Sequence, residues 1–138
     1  RLGQPRKGIE VLTNARKKYP DDFKLAANLG TAWQMEGDYP QALRNLQDAV
    51  RKAPERFKRA EEYHLRLVEL RQKDPKTIES FDHLFDVPFT DDKGKVNAGR
   101  IDPIQKKKLP NDAPALVQQL LLWLPSDGRL LWLLGELS

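Results

Sequence analysis

Residues 23–56 read FKLAANLGTAWQMEGDYPQALRNLQDAVRKAPER, and the spacing of apolar residues in this stretch decides the fold class. Ala26, Leu29, Gly30 and Trp33 recur at i, i+3, i+4 and i+7, which puts them on one face of a helix. Gly37 and Asp38 interrupt that run. Ala42, Leu46 and Ala49 then share one face of a second helix, and Pro54 ends it because proline cannot donate the next helical hydrogen bond. Two amphipathic helices and a tight turn thus occupy 34 residues, a length that asks for a search for internal repetition.

The search succeeds upstream. Gly3, Leu12, Ala15 and Pro20 precede Gly37, Leu46, Ala49 and Pro54 by 34 residues each. On these residues the stretch resembles a tetratricopeptide repeat (TPR). Leu29, Gly30, Trp33, Gly37, Ala42, Leu46, Ala49 and Pro54 fill positions 7, 8, 11, 15, 20, 24, 27 and 32 of that pattern, while Ala26 at position 4 is smaller than usual. The resemblance implies an all-α solenoid of antiparallel helix pairs that binds proteins or peptides and does no chemistry. The segment KKLPNDAPALVQQLLLWLPSDGRLLWLLGEL, residues 107–137, adds an overall similarity to bacterial TPR proteins.

The repeat register divides the chain. Residues 1–22 supply a half repeat, whose helix carries Ile9, Leu12 and Ala15 on its apolar face. Gly8 stands there at position 20 in place of Ala, which is expected to permit close helix approach. Arg16, Lys17 and Lys18 fall in the last turn, where cations suit the helix dipole and a solvated end is expected. Residues 23–56 form a full repeat. Residues 57–127 form a third, with Phe57, Ala60, Tyr63 and Leu67 at positions 1, 4, 7 and 11. His64 takes position 8, normally Gly, Ala or Ser, and implies a looser fit or a buried hydrogen bond. The unit is 71 residues long, 37 more than a repeat, so an insertion is expected at about 74–110. Asp74 and Pro75 read as a helix start, with Ile78, Phe81, Leu84 and Phe85 as its apolar stripe. Residues 87–96 read as a small β-hairpin around Asp91-Asp92-Lys93-Gly94. Asp102-Pro103 starts a further short helix. Residues 112–124, capped by Asn111 or Asp112, leave almost no polar face and are expected to be buried on all sides. Residues 128–138 begin a fourth repeat, with Leu131, Leu134 and Gly135 at positions 4, 7 and 8.

Composition narrows the function classes. The net charge of +4 arises from 24 basic and 20 acidic side chains, an excess too small and too mixed to indicate nucleic-acid binding. The chain has no cysteine, which removes disulfides and thiolate metal sites and fits any compartment. No apolar run reaches the roughly 18 residues of a membrane span. The first residue is Arg1 and not Met, so a native N-terminus is expected to be missing, and cytoplasmic and exported locations both stay open. No phosphate-binding glycine loop or nucleophile elbow is present. His64 and His83 lack the carboxylate spacing of a zinc site, Asp91-Asp92-Lys93-Gly94 is too short for a calcium loop, and Glu61-Glu62 reads as an ordinary helix-surface pair. No catalytic, cofactor-binding or metal-binding residue is assigned.

The resemblance implies a concave groove lined by the first helix of each pair. Its residues would be Lys24, Asn28, Thr31 and Gln34 in the second repeat, Lys58, Leu65 and Val68 in the third, and Trp132 and Leu133 in the fourth. A TPR subfamily that clamps the carboxylates of chaperone tails is rejected. Asn28 and Lys58 match its pattern, but Glu62 stands where an arginine is required. The groove is apolar at Leu65, Val68, Trp132 and Leu133. The insertion's Ile78, Phe81, Leu84 and Phe85 are expected to fold back and plug it; the alternative is an open patch that takes a partner helix or peptide. Ser138 stops at repeat position 11 and Arg1 starts at 13, so self-association through terminal half-repeats is a further expectation. Two readings compete with a protein-interaction scaffold. One is nucleic-acid binding by basic helices around Arg16, Lys17, Lys18 and Lys106, Lys107, Lys108; the other is an accessory domain of a larger enzyme.

Overall fold

Gly37 has φ +80°, a left-handed conformation that a residue with a Cβ adopts only under strain. It ends the helix α2 (Phe23–Met35). The Asp38 N–H donates to the Trp33 carbonyl at 3.0 Å and the Gly37 N–H to that of Gln34 at 3.0 Å, the paired bonds of a Schellman ending. Asp38 then caps α3 (Tyr39–Lys52): its Oδ1 accepts from the Gln41 N–H at 3.1 Å. Asp22 caps α2 in the same way through the Lys24 N–H at 3.0 Å. After α3, Ala53 turns extended at φ −67°, ψ 137°, as the residue before a proline prefers. The Pro54 carbonyl accepts from Phe57 and Lys58 and so opens α4 (Glu55–Lys73), two residues ahead of the Phe57 start expected from the repeat register.

The computed structural model describes residues 5–73, 84–85, 106–125 and 127–137. Among them are six α-helices and no strand. The chain divides into two units, Arg1–Lys73 and Asp74–Ser138. In the first, α1 (Pro5–Lys18) packs on α2, α2 on α3 and α3 on α4. Helices α1 and α3 are both 14 residues long and begin 34 residues apart. Phe23 and Phe57, also 34 apart, stack with ring centroids at 5.5 Å and planes at 33°. The Arg56 guanidinium lies 4.6 Å from the Phe57 ring centre.

Ala42, Leu46 and Val68 form a buried cluster, with Trp33, Tyr39, Leu43 and Leu65 packed against it. The tightest approach is at Gly30. A Cβ there would lie 2.7 and 2.8 Å from Leu46 Cγ and Cδ2 and 3.3 Å from the Ala42 carbonyl. The expected close approach at Gly8 is not found, since a Cβ at Gly8 would meet nothing within 4 Å.

The second unit contains α5 (Ala113–Trp123) and α6 (Gly128–Leu137), which pack on each other. Asp112 is the N-cap of α5; its backbone carbonyl accepts the first helical hydrogen bond, from the Leu116 N–H at 2.9 Å, and its side chain makes no cap bond. Asp127 starts α6, its Oδ1 accepting from the Leu130 N–H at 3.0 Å. The expectation that α5 is buried on all sides fails. Ala113, Leu116, Val117 and Leu120 are buried, while Leu122 is 75% exposed. One stripe at helical spacing is packed, and Leu122 lies away from it. In α6 the buried stripe is Leu130, Leu133 and Leu137, and Leu131 is 52% exposed.

Leu84 and Phe85 sit in a turn and are buried. The expected helix start at Asp74-Pro75, its Ile78 and Phe81, the hairpin at 87–96, His83 and the helix at Asp102-Pro103 lie outside the described residues. No described helix is long and apolar enough to cross a membrane.

Replacing Gly30 with Ala adds helix propensity but forces a Cβ into Leu46, which is fully buried and cannot swing aside. Overpacking costs about 1–3 kcal/mol, more than the propensity gain of up to about 1 kcal/mol. Gly30→Ala is therefore expected to lower the denaturation midpoint. In a double-mutant cycle, Leu46→Ala is expected to be less damaging in the Gly30→Ala background than in the parent.

Candidate functional site

The residues expected to line a groove divide by burial. Lys24 and Asn28 are exposed on α2, and Thr31 is half-buried on the same face, with its hydroxyl donating to the Ala27 carbonyl at 3.1 Å. Lys58 and Leu65 on α4 are half-buried. Gln34 and Val68 are turned inward, Val68 into the Ala42–Leu46 cluster. Trp132 is half-buried and Leu133 buried in α6, within the second unit.

A polar link crosses the interior between α2 and α4. The His64 Nε2–H donates to Gln34 Oε1 at 2.9 Å, and both residues are buried. Of the two expectations for His64 at a normally small position, the buried hydrogen bond is the one found. Burial, and next the Arg71 charge, pull the His64 pKa down to about 4, so the imidazole is neutral at pH 7. Glu61 departs from its expected place on the surface. It is 2% exposed, whereas its neighbour Glu62 is exposed. No described residue hydrogen-bonds Glu61 Oε2, and burial pushes the carboxyl pKa up to about 7. Among the described residues no group of three His, Cys, Asp or Glu side chains could hold a metal ion.

A third feature was not anticipated from the sequence. Asp48, whose side chain is 11% exposed, lies on the packed side of α3 and draws in three cations. Arg16 reaches it from α1, and Arg51 and Lys52 reach it from its own helix, Lys52 Nζ at 3.1 Å. Arg16 also donates to Asn45 Oδ1 at 2.6 Å, Asn45 donates to the Gln41 carbonyl at 2.8 Å, and Lys52 donates to the Pro20 carbonyl. Arg16 is thus not part of a solvated helix end; Lys17 and Lys18 are exposed. Burial acts to raise the Asp48 pKa, but hydrogen bonds from Lys52 and Arg51 and the Lys52 and Arg16 charges outweigh it and hold the carboxyl below its ordinary value of 3.8. The sequence signal was two polar residues, Asn45 and Asp48, interleaved with the apolar face Ala42, Leu46 and Ala49, with cations at i+3 and i+4 from Asp48.

Beside this network a cleft of about 410 Å³ opens between α1, α2 and α3. Arg16, Lys17 and Lys52 bring charge to it, Asn45 an amide, and Leu29 and Trp33 an apolar wall.

No protein-family model, curated protein or solved structure matches the chain.

Two pH-dependent outcomes follow from these groups. The folded Glu61 pKa of about 7 lies above the ordinary 4.5, so its contribution to stability is present below pH 4.5 and lost as pH rises through 7. Glu61→Gln is expected to be more stable than the parent by about 2 kcal/mol at alkaline pH and equal to it in acid, as read by denaturant unfolding. Asp48 behaves oppositely: with its pKa depressed, its contribution is present above 3.8 and lost below. Asp48→Asn is expected to cost about 2 kcal/mol at neutral pH, the worth of a hydrogen bond to a charged group. That difference is expected to shrink as pH falls below the ordinary carboxylate value.

Proposed function

We propose that the chain is a TPR-type helix-pair module that acts by binding proteins and carries no catalysis of its own. The observation that carries this reading is the 34-residue recurrence in space as well as in sequence. Helices α1 and α3 begin 34 residues apart, and the equivalent aromatics Phe23 and Phe57 stack on each other. Gly30, Gly37, Ala42 and Leu46 support it through the physical jobs their repeat positions require. Gly30 gives close helix approach, Gly37 a left-handed turn, and Ala42 and Leu46 a buried seam. Such a scaffold serves as a binding surface.

On this reading Lys24, Asn28, Thr31, Lys58 and the half-buried Leu65 line the face that receives a protein or peptide. The exposed leucines Leu122 and Leu131 give the second unit an apolar surface suited to assembly with another copy. Light scattering over a concentration series tests the assembly half. The parent is expected to gain mass with concentration, and the Leu122→Glu/Leu131→Glu double variant to stay monomeric while keeping its helical circular dichroism. A parent that is monomeric throughout removes self-association and leaves the groove as the binding surface.

A further inference from the structure

We propose that the cleft between α1, α2 and α3 binds an acidic peptide segment of a partner protein. Arg16, Lys17 and Lys52 receive a side-chain carboxylate, and Leu29 and Trp33 receive the apolar residue beside it. The proposal rests on the protein-binding reading only in taking a protein as the ligand; the site is separate from the proposed groove. Lys24, Asn28 and Thr31 follow one another at i, i+4 and i+7 along one side of α2, whereas Leu29 and Trp33 lie about half a turn around the helix.

Charge argues for an anionic ligand. Among the described residues the lining holds three cations and no carboxylate. Asp48 lies close by, but it is one anion facing Arg16, Arg51 and Lys52, so the group keeps an excess of positive charge. Asp48 also fixes the cations in place, which lowers the entropy a ligand must remove on binding. Donors remain: a guanidinium has five N–H groups and an ammonium three. Arg16 directs one terminal nitrogen at Asn45 and the other at Asp48, and Lys52 serves Asp48 and the Pro20 carbonyl. Lys17 has no acidic partner among the described residues and is exposed. Low-dielectric walls strengthen the field of such a cluster.

Shape argues for a peptide. A volume of about 410 Å³ lies within the range of ligand pockets, and an indole and a leucine, Trp33 and Leu29, line it beside the cations. A nucleic-acid backbone needs a continuous positive track. The exposed Asp21 and Asp22 directly follow Pro20 at the cleft margin and interrupt one.

The test is fluorescence anisotropy on the full chain with a labelled hexapeptide of repeating Leu-Glu-Asp, at low and high salt. Saturable binding that weakens with salt is expected. Lys17→Glu, an exposed change that leaves the Asp48 network in place, is expected to weaken it about five- to tenfold, roughly what reversing one contacting charge does. Lys73→Glu, at an exposed position on α4 that does not line the cleft, controls for net charge and is expected to leave binding within twofold of the parent. The proposal is overturned if the peptide does not saturate, or if Lys17→Glu and Lys73→Glu weaken it equally. It is also overturned if a Leu-Gln-Asn peptide binds as well, or if a single-stranded oligonucleotide of equal charge displaces the peptide more tightly than the peptide binds. A parent that self-associates yet ignores the peptide overturns the cleft and leaves the interaction module standing. A monomer that binds the peptide does the reverse for assembly.

Discussion

The missing side chain at Gly30 sets the distance between α2 and α3, and the first unit is built on that distance. With no Cβ, α3 comes close enough for Leu46 to occupy the space a methyl group would take, and Ala42 is small enough for its backbone to approach the same spot. Val68 from α4 can then reach the pair, which makes a three-helix seam from residues of modest size. Contacts at such spacing are individually weak and gain their worth from number and density. A wider spacing would have required larger side chains at 42 and 46 to fill the gap. The other strip of α3 carries Asn45 and Asp48, which Arg16 reaches from α1.

Two polar links cross this apolar frame, and they stabilise it by different physics. Gln34 and His64 meet as neutral partners between α2 and α4. Their net contribution is modest, but leaving either unpaired in the interior would cost more than the bond itself yields. The link thus selects one register of α4 on α2 more than it adds stability. Asp48 is different: its side chain is nearly covered, and three cations offset the cost of keeping it charged. Coulomb attraction at partial burial is stronger than at the surface, while the cations keep some contact with water. Glu61 lacks such partners among the described residues, and for that reason its proton is held to higher pH.

Much of the helical layout was legible because it depends on local signals. Gly37, Asp38 and Pro54 mark turns by backbone chemistry that holds whatever the surroundings are, and the stripe of Ala26, Leu29 and Gly30 is a matter of period. The failures share a cause. The segment 112–124 is so apolar that period cannot choose a face, and it is tertiary packing, α6 included, that leaves Leu116 buried and Leu122 exposed. Glu61 looked like half of a surface pair because adjacent acids suggest solvent, although adjacent helix residues point about 100° apart and need not share an environment. Arg16 looked like a free end of a basic run because its partners are 29 and 32 residues away, beyond any local rule. Gly8 replaces the Ala of the repeat pattern, yet a Cβ there would meet nothing within 4 Å. A small residue permits a close approach but does not by itself bring a neighbour near.

The two faces of α2 follow from the same geometry. A helix held on one strip by Gly30 and Ala26 leaves two flanks, and the sequence treats them differently. One flank carries Lys24, Asn28 and Thr31, which are small or polar and make few commitments inside the fold. The other carries Leu29 and Trp33, which lean toward α1 and α3 and help to wall the cleft. Charge follows the same division: Arg16, Lys17 and Lys52 gather on the Trp33 side, and Asp48 is positioned to hold two of them without cancelling the whole cluster. Arg16 and Lys52 thus serve the buried Asp48 and still face the cleft, where Lys17 adds a third positive charge. The network that stabilises α1 against α3 leaves the cleft with more positive charge than Asp48 balances, and like charges held together favour an anion between them.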